Sequence, residues 1–157
     1  MDPAARFRRF GLEGASQPDR DRRADERAWA VLTDFTAFPD WNPFMIAASG
    51  DLRPGGRLEV TLRPPGRKAF TFRPTVKELE PARRLRWLGR TGLPGIFDGE
   101  HVHEMTALGP NRTRYVQRER FRGVLTPFLR RMLDDTKGGF DAMNAALKAR
   151  AEEPDAG

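Results

Sequence analysis

Hydrophobic and polar residues alternate with a period of two through the middle of the chain, from residue 44 to residue 123. In the stretch 57–63, one face is aliphatic and consists of Leu58, Val60 and Leu62. Arginine, glutamate and threonine occupy the other face, as expected for a strand that is buried on one side. Turn residues, mainly proline and glycine, separate these segments from one another. The pattern therefore predicts an antiparallel sheet with one solvated face.

Helical patterns lie on either side of this region. Asp25 is placed to cap a short helix that carries Trp29 and Leu32, and a second short helical turn follows over residues 36–43. Toward the C-terminus, apolar residues recur at steps of three and four, which predicts one long helix over residues 125–151. At 1.5 Å per residue this helix would be about 40 Å long, enough to lie across a whole sheet.

Two interruptions inside these elements carry structural information. Pro74 lies within the alternating stretch 70–79 and indicates an edge strand or a bulge, because proline cannot donate a backbone hydrogen bond. Gly138 and Gly139 lie within the long helix, where each glycine costs about 1 kcal/mol relative to alanine. Close packing or a kink beside a cavity would explain the glycine pair, and sequence drift is the alternative.

Together these patterns predict an α+β fold. Two short helices precede a six- or seven-stranded antiparallel sheet, and the apolar face of the sheet grips one long C-terminal helix. With 157 residues the chain fits one domain. A domain of this size buries roughly 70% of its unfolded surface, which is enough for a core that contains a pocket.

Charge and composition narrow the classes of function. The formal net charge is +6, yet the basic residues are nearly all arginine and many lie beside an acidic residue, so we expect no nucleic-acid partner. The chain has no cysteine, which excludes disulfides, thiol chemistry and cysteine-ligated zinc. No apolar run approaches the ~20 residues of a transmembrane span, and the start of the chain lacks the apolar region of a secretory signal. These features predict a cytoplasmic protein without an integral membrane segment.

Several local sequences accompany this order of elements. The longest is AWAVLTDFTAFPDWNPF at residues 28–44, and shorter ones lie at residues 72–76, 85–88, 97–101, 119–123 and 140–147. In these stretches the chain resembles the START-like (SRPBCC) helix-grip superfamily, most closely its bacterial polyketide cyclase/dehydrase and lipid-transport type. The resemblance implies a START-like ligand-binding domain over residues 25–152, with a hydrophobic cavity between the sheet and the long helix. Such a cavity would hold a lipid, a polyketide or another apolar small molecule.

Both ends of the chain lie outside this resemblance. In that superfamily a clear alternating strand usually precedes the first helix, whereas residues 17–24 read QPDRDRRA. Residues 1–24 are therefore either a poorly ordered arm or contain a weak first strand, supplied by the stretch 7–12 after a longer linker. If the strand is missing, an open sheet edge would favour dimerisation or reduce stability, so monomer and homodimer both stay open. Residues 153–157 are expected to form a disordered tail.

Both histidines of the chain lie in the stretch FDGEHVHEM at residues 97–105. If Met105 faces the core, strand alternation turns His101 and His103 inward and the flanking glutamates outward. The inward residues of the next strand are Tyr115, Gln117, Glu119 and Phe121. Hairpin pairing then allows two registers, with His101 opposite either Glu119 or Phe121. Both registers place a His–Glu pair on the inner wall, with opposed Cβ atoms about 5 Å apart.

Three hypotheses compete for this polar pair. The spacing from Gly95 to the two histidines matches the opening of a cupin metal motif, but the glutamate and the third histidine of that motif are missing. Acid–base chemistry is the second, because an imidazole with a pKa near 6.5 beside a carboxylate can move protons on a bound polyketone. The third is a polar anchor that orients a ligand or satisfies its own hydrogen bonds. We favour the third, expect no metal and no cofactor, and keep His101, His103 and Glu119 as the catalytic candidates.

Mainly apolar residues complete the predicted site. The ligand-binding set is Trp41, Phe44, Trp87, Phe97, His101, His103, Met105, Tyr115, Gln117, Glu119, Phe121, Met132, Leu133 and Phe140. Trp41 is expected at the cavity rim, because it lies in a short helix after a turn. Each aromatic residue could equally belong to the plain core, where Trp and Phe are usually found.

The sequence therefore predicts a protein that binds an apolar small molecule between its sheet and its C-terminal helix. The principal alternative is an enzyme of the cyclase/dehydrase type that uses a His–Glu pair of the cavity without a metal. A cupin-like metal enzyme and a basic interaction module are two further, less favoured alternatives.

Overall fold

The computed structural model describes residues 6–15 and 23–153. A 3-10 turn (Phe35–Ala37) follows the first helix, and the helices and strands are β1 (Arg6–Ala15), α1 (Ala24–Thr33), α2 (Phe38–Trp41), β2 (Met45–Gly50), β3 (Leu58–Leu62), β4 (Phe70–Phe72), β5 (Thr75–Glu80), β6 (Arg84–Thr91), β7 (Phe97–Gly109), β8 (Arg112–Arg122) and α3 (Arg130–Glu152). The predicted α+β helix-grip class is confirmed. No helix among the described residues is long and apolar enough to span a membrane.

The strands form two antiparallel sheets. The larger sheet has the order β1-β8-β7-β6-β5, and the smaller has the order β2-β3-β4. Pro74 lies between β4 and β5, each of which is an edge strand of its sheet, as expected for a residue without a backbone N–H. One sheet of six or seven strands was predicted, whereas eight strands form two sheets that are divided at this proline. An isolated bridge between Arg57 and Thr75 connects the two parts.

The N-terminal stretch supplies a strand. Strand β1 pairs with β8 along its whole length, from Arg6 opposite Phe121 to Ala15 opposite Arg112. Of the two alternatives for residues 1–24, the structure therefore has the strand across residues 7–12, and β8 is not an open edge. The remainder of that arm, residues 1–5 and 16–22, lies outside the described residues, as does the expected tail beyond Glu153.

The outer face of the larger sheet carries rows of paired charges. Arg86 bonds Glu100 on the neighbouring strand at 2.8 Å, and Arg118 bonds Glu104 at 2.6 Å. These side chains keep 22–34% of their surface exposed, and ion pairs near the surface contribute only about 0–1 kcal/mol. The strand arginines are thus largely balanced by carboxylates across the sheet.

Helix α3 lies on the inner face and buries Leu133, Phe140, Met143 and Leu147. Gly139 is also buried, and a Cβ atom at this position would overlap the ring of Phe44. Close packing is therefore the structural reason for glycine at residue 139. Gly138 is exposed, and only Pro65 lies near it.

Two predicted helix starts are wrong. Helix α3 begins at Arg130 rather than near Leu125, and turns replace its first predicted residues. Pro127 explains the difference, because its ring disfavours helical geometry at Thr126 and it has no N–H to continue the ladder. Helix α1 begins at Ala24, so Asp25 lies in the first turn, where its carboxylate faces the positive end of the helix dipole, and does not cap the helix.

Candidate functional site

A cavity of about 350 Å³ lies between the N-terminal half of α3 and the inner faces of both sheets. The volume is within the range of small-molecule sites. Its wall is mostly apolar and comprises Met45, Leu62, Phe70, Thr71, Phe72, Trp87, Gly89, Arg90, Thr91, Phe97, Gly99, His101, Glu119, Phe121, Leu125, Leu129, Met132, Leu133, Thr136 and Phe140. The site is therefore an apolar chamber that contains few polar groups.

The polar end of this chamber is a cross-strand pair. His101 lies opposite Glu119 and His103 opposite Gln117, which is the first of the two predicted registers. The Nδ1 atom of His101 is 3.4 Å from Oε1 of Glu119, and both side chains are more than nine-tenths buried. The predicted His–Glu pair on the inner wall is thus present as His101 with Glu119.

The imidazole of His101 is fixed by contacts on its faces and on its other nitrogen. It stacks on Trp87 at a centroid distance of 5.4 Å and on Phe140 at 4.9 Å. Its Nε2 atom is 2.9 Å from Oε1 of Gln117, whose Nε2 donates in turn to Oδ1 of Asn144 on α3. This chain of amides orients the ring so that Nδ1 faces Glu119.

The carboxylate of Glu119 is the least satisfied group of the site. It makes no hydrogen bond to a described residue, and its buried Oε2 atom has no partner among them. A buried polar atom without a partner typically costs about 1–3 kcal/mol. Because Glu119 also lines the cavity, a molecule in the chamber is in position to relieve this cost.

His103 belongs to a separate, sealed environment. Its Nδ1 atom is 2.6 Å from the hydroxyl oxygen of Tyr115, and the side chain is fully buried without lining the cavity. Burial, together with the neighbouring His101, lowers the pKa of His103 well below its ordinary value of 6.5. Burial likewise raises the pKa of Tyr115 well above its ordinary value of 10. Both groups are therefore neutral near pH 7.

The mouth of the cavity is formed by exposed apolar residues. Phe70 and Leu125 line the chamber and are also exposed to solvent. Beside them the loop 92–96 and the turn 123–129 are joined by two backbone hydrogen bonds, from Val124 to Gly95 and from Leu125 to Ile96. Gly123 makes this approach possible, because its φ is +126° and a Cβ there would overlap the Ile96 carbonyl.

Eight of the fourteen predicted ligand-binding residues line the cavity: Trp87, Phe97, His101, Glu119, Phe121, Met132, Leu133 and Phe140. The other six lie elsewhere: Trp41, Phe44, His103, Met105, Tyr115 and Gln117. Trp41, expected at the rim, packs edge-on against Phe38 at 5.4 Å beside a separate surface hollow. The remaining five face inward as predicted but are covered by α3 and the surrounding core.

The strongest missed signal is a pair of strand glycines. Gly89 on β6 lies directly opposite Gly99 on β7, and both line the cavity. Along the same face, the preceding inward pairs are Leu85 with His103 and Trp87 with His101. Two glycines inside strands indicate a place where another group approaches the backbone closely. Here the approaching groups are the rings of Phe72 and Phe121, each 3.2 Å from where the Cβ atom would stand.

The described residues contain no group of three or more His, Cys, Asp or Glu side chains arranged to hold a metal ion. His101 and Glu119 face each other, whereas His103 is directed to Tyr115. The triad of two histidines and one glutamate considered for a cupin-like site is therefore not assembled in these residues.

Two antiparallel sheets closed by a long C-terminal helix, with an apolar chamber between them, define a helix-grip protein. The chain belongs to the polyketide cyclase/dehydrase and lipid transport family, whose model matches residues 22–152. No curated protein sequence matches the chain.

Solved structures agree on the fold. The Zhui aromatase/cyclase from Streptomyces sp. R1128 is 19% identical, with 95% of this chain and 94% of that one covered and a TM-score of 0.73. A START superfamily protein from Mycobacterium smegmatis is 20% identical, with 93% and 97% covered and a TM-score of 0.66. Norcoclaurine synthase from Thalictrum flavum is 15% identical, with 94% of each chain covered and a TM-score of 0.65. At these identities the similarity concerns the fold alone.

Proposed function

We propose that the protein binds a hydrophobic small molecule in the chamber between its sheets and α3. The observation that carries the proposal is an apolar cavity of about 350 Å³ with a single buried ionisable pair on its wall. Ligand sites are typically apolar with a few placed polar groups. Burial of an apolar ligand contributes about 25 cal/mol per Å² removed from water.

Titration with a neutral fluorescent probe such as N-phenyl-1-naphthylamine tests this proposal. We expect saturable binding with one probe per chain. The substitution Met132→Trp fills the chamber from α3 and should weaken binding at least about tenfold, since overpacking costs roughly 1–3 kcal/mol. The matched control is Arg131→Trp on the exposed side of the same helix turn. Absence of a saturable site in the folded protein would contradict the proposal, as would equal binding by both variants.

An enzyme of the cyclase/dehydrase type is the second candidate, and the position of His101 and Glu119 on the cavity wall favours it. An imidazole beside a carboxylate can accept and return protons at the carbon and oxygen atoms of a polyketone. His103 is not a candidate for direct contact, because it does not line the cavity. The acid–base pair of this alternative is therefore His101 with Glu119.

Turnover of a synthetic poly-β-ketone would distinguish this candidate from a pure binder. If the pair acts in catalysis, Glu119→Gln and His101→Gln should each lower turnover by about 10²–10⁴-fold, well beyond any loss of ligand affinity. Glu104→Gln on the outer face provides the control. A protein that binds the ketone but converts it no faster than buffer does is a binder only.

A further inference from the structure

We infer that the ligand of this chamber carries a hydroxyl group that donates a hydrogen bond to Glu119. The inference rests on the proposed function, because it takes the chamber as the binding site. Glu119 is only 7% exposed and lines the chamber, and its carboxylate makes no hydrogen bond to a described residue. Its side chain pairs with Nδ1 of His101, at 3.4 Å.

The placement of protons around His101 supports a donor on the ligand. Nε2 of Gln117 donates to Asn144, so Oε1 of Gln117 accepts the Nε2 proton of His101. A proton between Nδ1 of His101 and Glu119 can then belong to either group. With the Gln117 amide reversed, Nδ1 of His101 carries the proton and donates it to the carboxylate. In all three arrangements one oxygen of Glu119 still needs a donor.

The other lining residues that the structure describes at this end of the chamber offer few donors. Trp87, Phe121 and Phe140 surround the pair with aromatic rings. The Thr136 hydroxyl already donates to the backbone carbonyl of Leu133 at 2.6 Å. The other polar lining residues, among them Arg90, lie at the exposed mouth. The ligand is therefore oriented with its hydroxyl group inward and its apolar body along the wall.

Charge selects a neutral donor over an ion. With Gln117 donating to Asn144, as in the structure, a proton held between Nδ1 of His101 and Glu119 leaves this pair with zero net charge. An isolated ion beside them would lose its hydration in an apolar chamber without a counter-charge. A carboxylate on the ligand would in addition face the acceptor oxygen of Glu119. A phenolic or aliphatic hydroxyl meets neither penalty.

Three naphthalene probes of similar shape test the inference on the full chain near pH 7. The probes are 2-naphthol as a neutral donor, 2-methoxynaphthalene as an acceptor only, and 2-(aminomethyl)naphthalene as a cation. We expect 2-naphthol to bind at least about tenfold more tightly than 2-methoxynaphthalene, as is usual for a hydrogen bond to a carboxylate. Glu119→Leu should bring that ratio close to one, and Glu119→Gln, which keeps an acceptor oxygen, should retain part of it. Thermal melts verify that each variant is folded.

The results distinguish a failure of the hydroxyl inference from a failure of the proposed function. Equal affinities for 2-naphthol and 2-methoxynaphthalene in a protein that binds both saturably would overturn the hydroxyl inference and leave the proposed function intact. Tightest binding of the ammonium probe would replace the inference by a cation site. A naphthol preference that persists in Glu119→Leu would also overturn it. If none of the probes binds saturably, the proposed function itself fails.

Discussion

The β7–β8 hairpin has two halves with the same strand alternation and opposite outcomes. In one half, Gly99, His101 and Glu119 face an open chamber. In the other, His103 and Tyr115 face inward by the same parity and are completely enclosed. The difference arises from what lies above the sheet, where the C-terminal half of α3 packs tightly and its N-terminal half leaves space. Strand alternation thus selects a face, and the covering helix decides whether that face becomes core or cavity.

Methionines on α3 give the largest expected contrast between the halves. Met143 is fully buried over the closed half, whereas Met132 is partly exposed and lines the chamber. Met143→Ala should lower the free energy of unfolding by about 2–5 kcal/mol, because it opens a cavity in a packed core. Met132→Ala enlarges an existing space and should cost less than about 1 kcal/mol. Urea unfolding measures both, and similar losses for the two variants would contradict the division into open and closed halves.

The glycine pair of α3 gives the next contrast. Gly139→Ala places a methyl group in the ring of Phe44 and should destabilise the fold by about 1–3 kcal/mol. Gly138→Ala would meet only Pro65, at an ordinary contact distance of 3.7 Å, and should stabilise the helix by up to about 1 kcal/mol. Thermal and urea unfolding of the two variants compare the effects directly. If Gly139→Ala leaves the free energy of unfolding unchanged, the ring of Phe44 can move aside and the contrast fails.

The closed half should also make stability depend on pH. The folded-state pKa of His103 lies well below 6.5, whereas the unfolded chain takes up a proton near that value. Below pH 6.5 the unfolded state therefore binds more protons, so the stability contributed by neutral His103 is complete above this pH and declines as the pH falls. The slope from this one group is at most about 1.4 kcal/mol per pH unit.

Unfolding of the wild type and of His103→Gln between pH 5 and pH 7.5 isolates this contribution. The substitution keeps a polar group near Tyr115 but removes the titrating ring. The free energy of unfolding should fall less steeply toward low pH in the variant, by up to the slope that corresponds to one bound proton. Parallel curves for the two proteins would mean that His103 is not kept neutral by the fold.

Local periodicity was sufficient for much of the fold and of the site wall. A period of two placed His101, His103, Gln117 and Glu119 on one face, and one of the two allowed registers is the one observed. The sequence could not show which histidine reaches the chamber, because this depends on where α3 lies over the hairpin. Pro127 precedes the start of α3 at Arg130, and the helical spacing of the apolar residues does not reflect this start.

Residues whose role depends on distant packing were predicted least well. Trp41 was expected at the cavity rim, yet its ring packs on Phe38 away from the chamber. Leu125 fits the helical spacing, yet it lies in a turn at the mouth. Gly89 and Gly99 would have been informative, because a side chain at either position would press on the ring of Phe72 or Phe121 in the cavity wall.

The hydrogen bonds between the two segments at the mouth affect how fast a ligand enters and leaves the chamber. Val124 and Leu125 donate backbone hydrogen bonds to Gly95 and Ile96, so the two segments that flank the entrance are tied together. Any widening that separates them breaks both bonds at once. A bound molecule larger than the resting entrance would therefore leave only when these two hydrogen bonds break, and its residence time would depend on their stability as well as on its affinity for the wall.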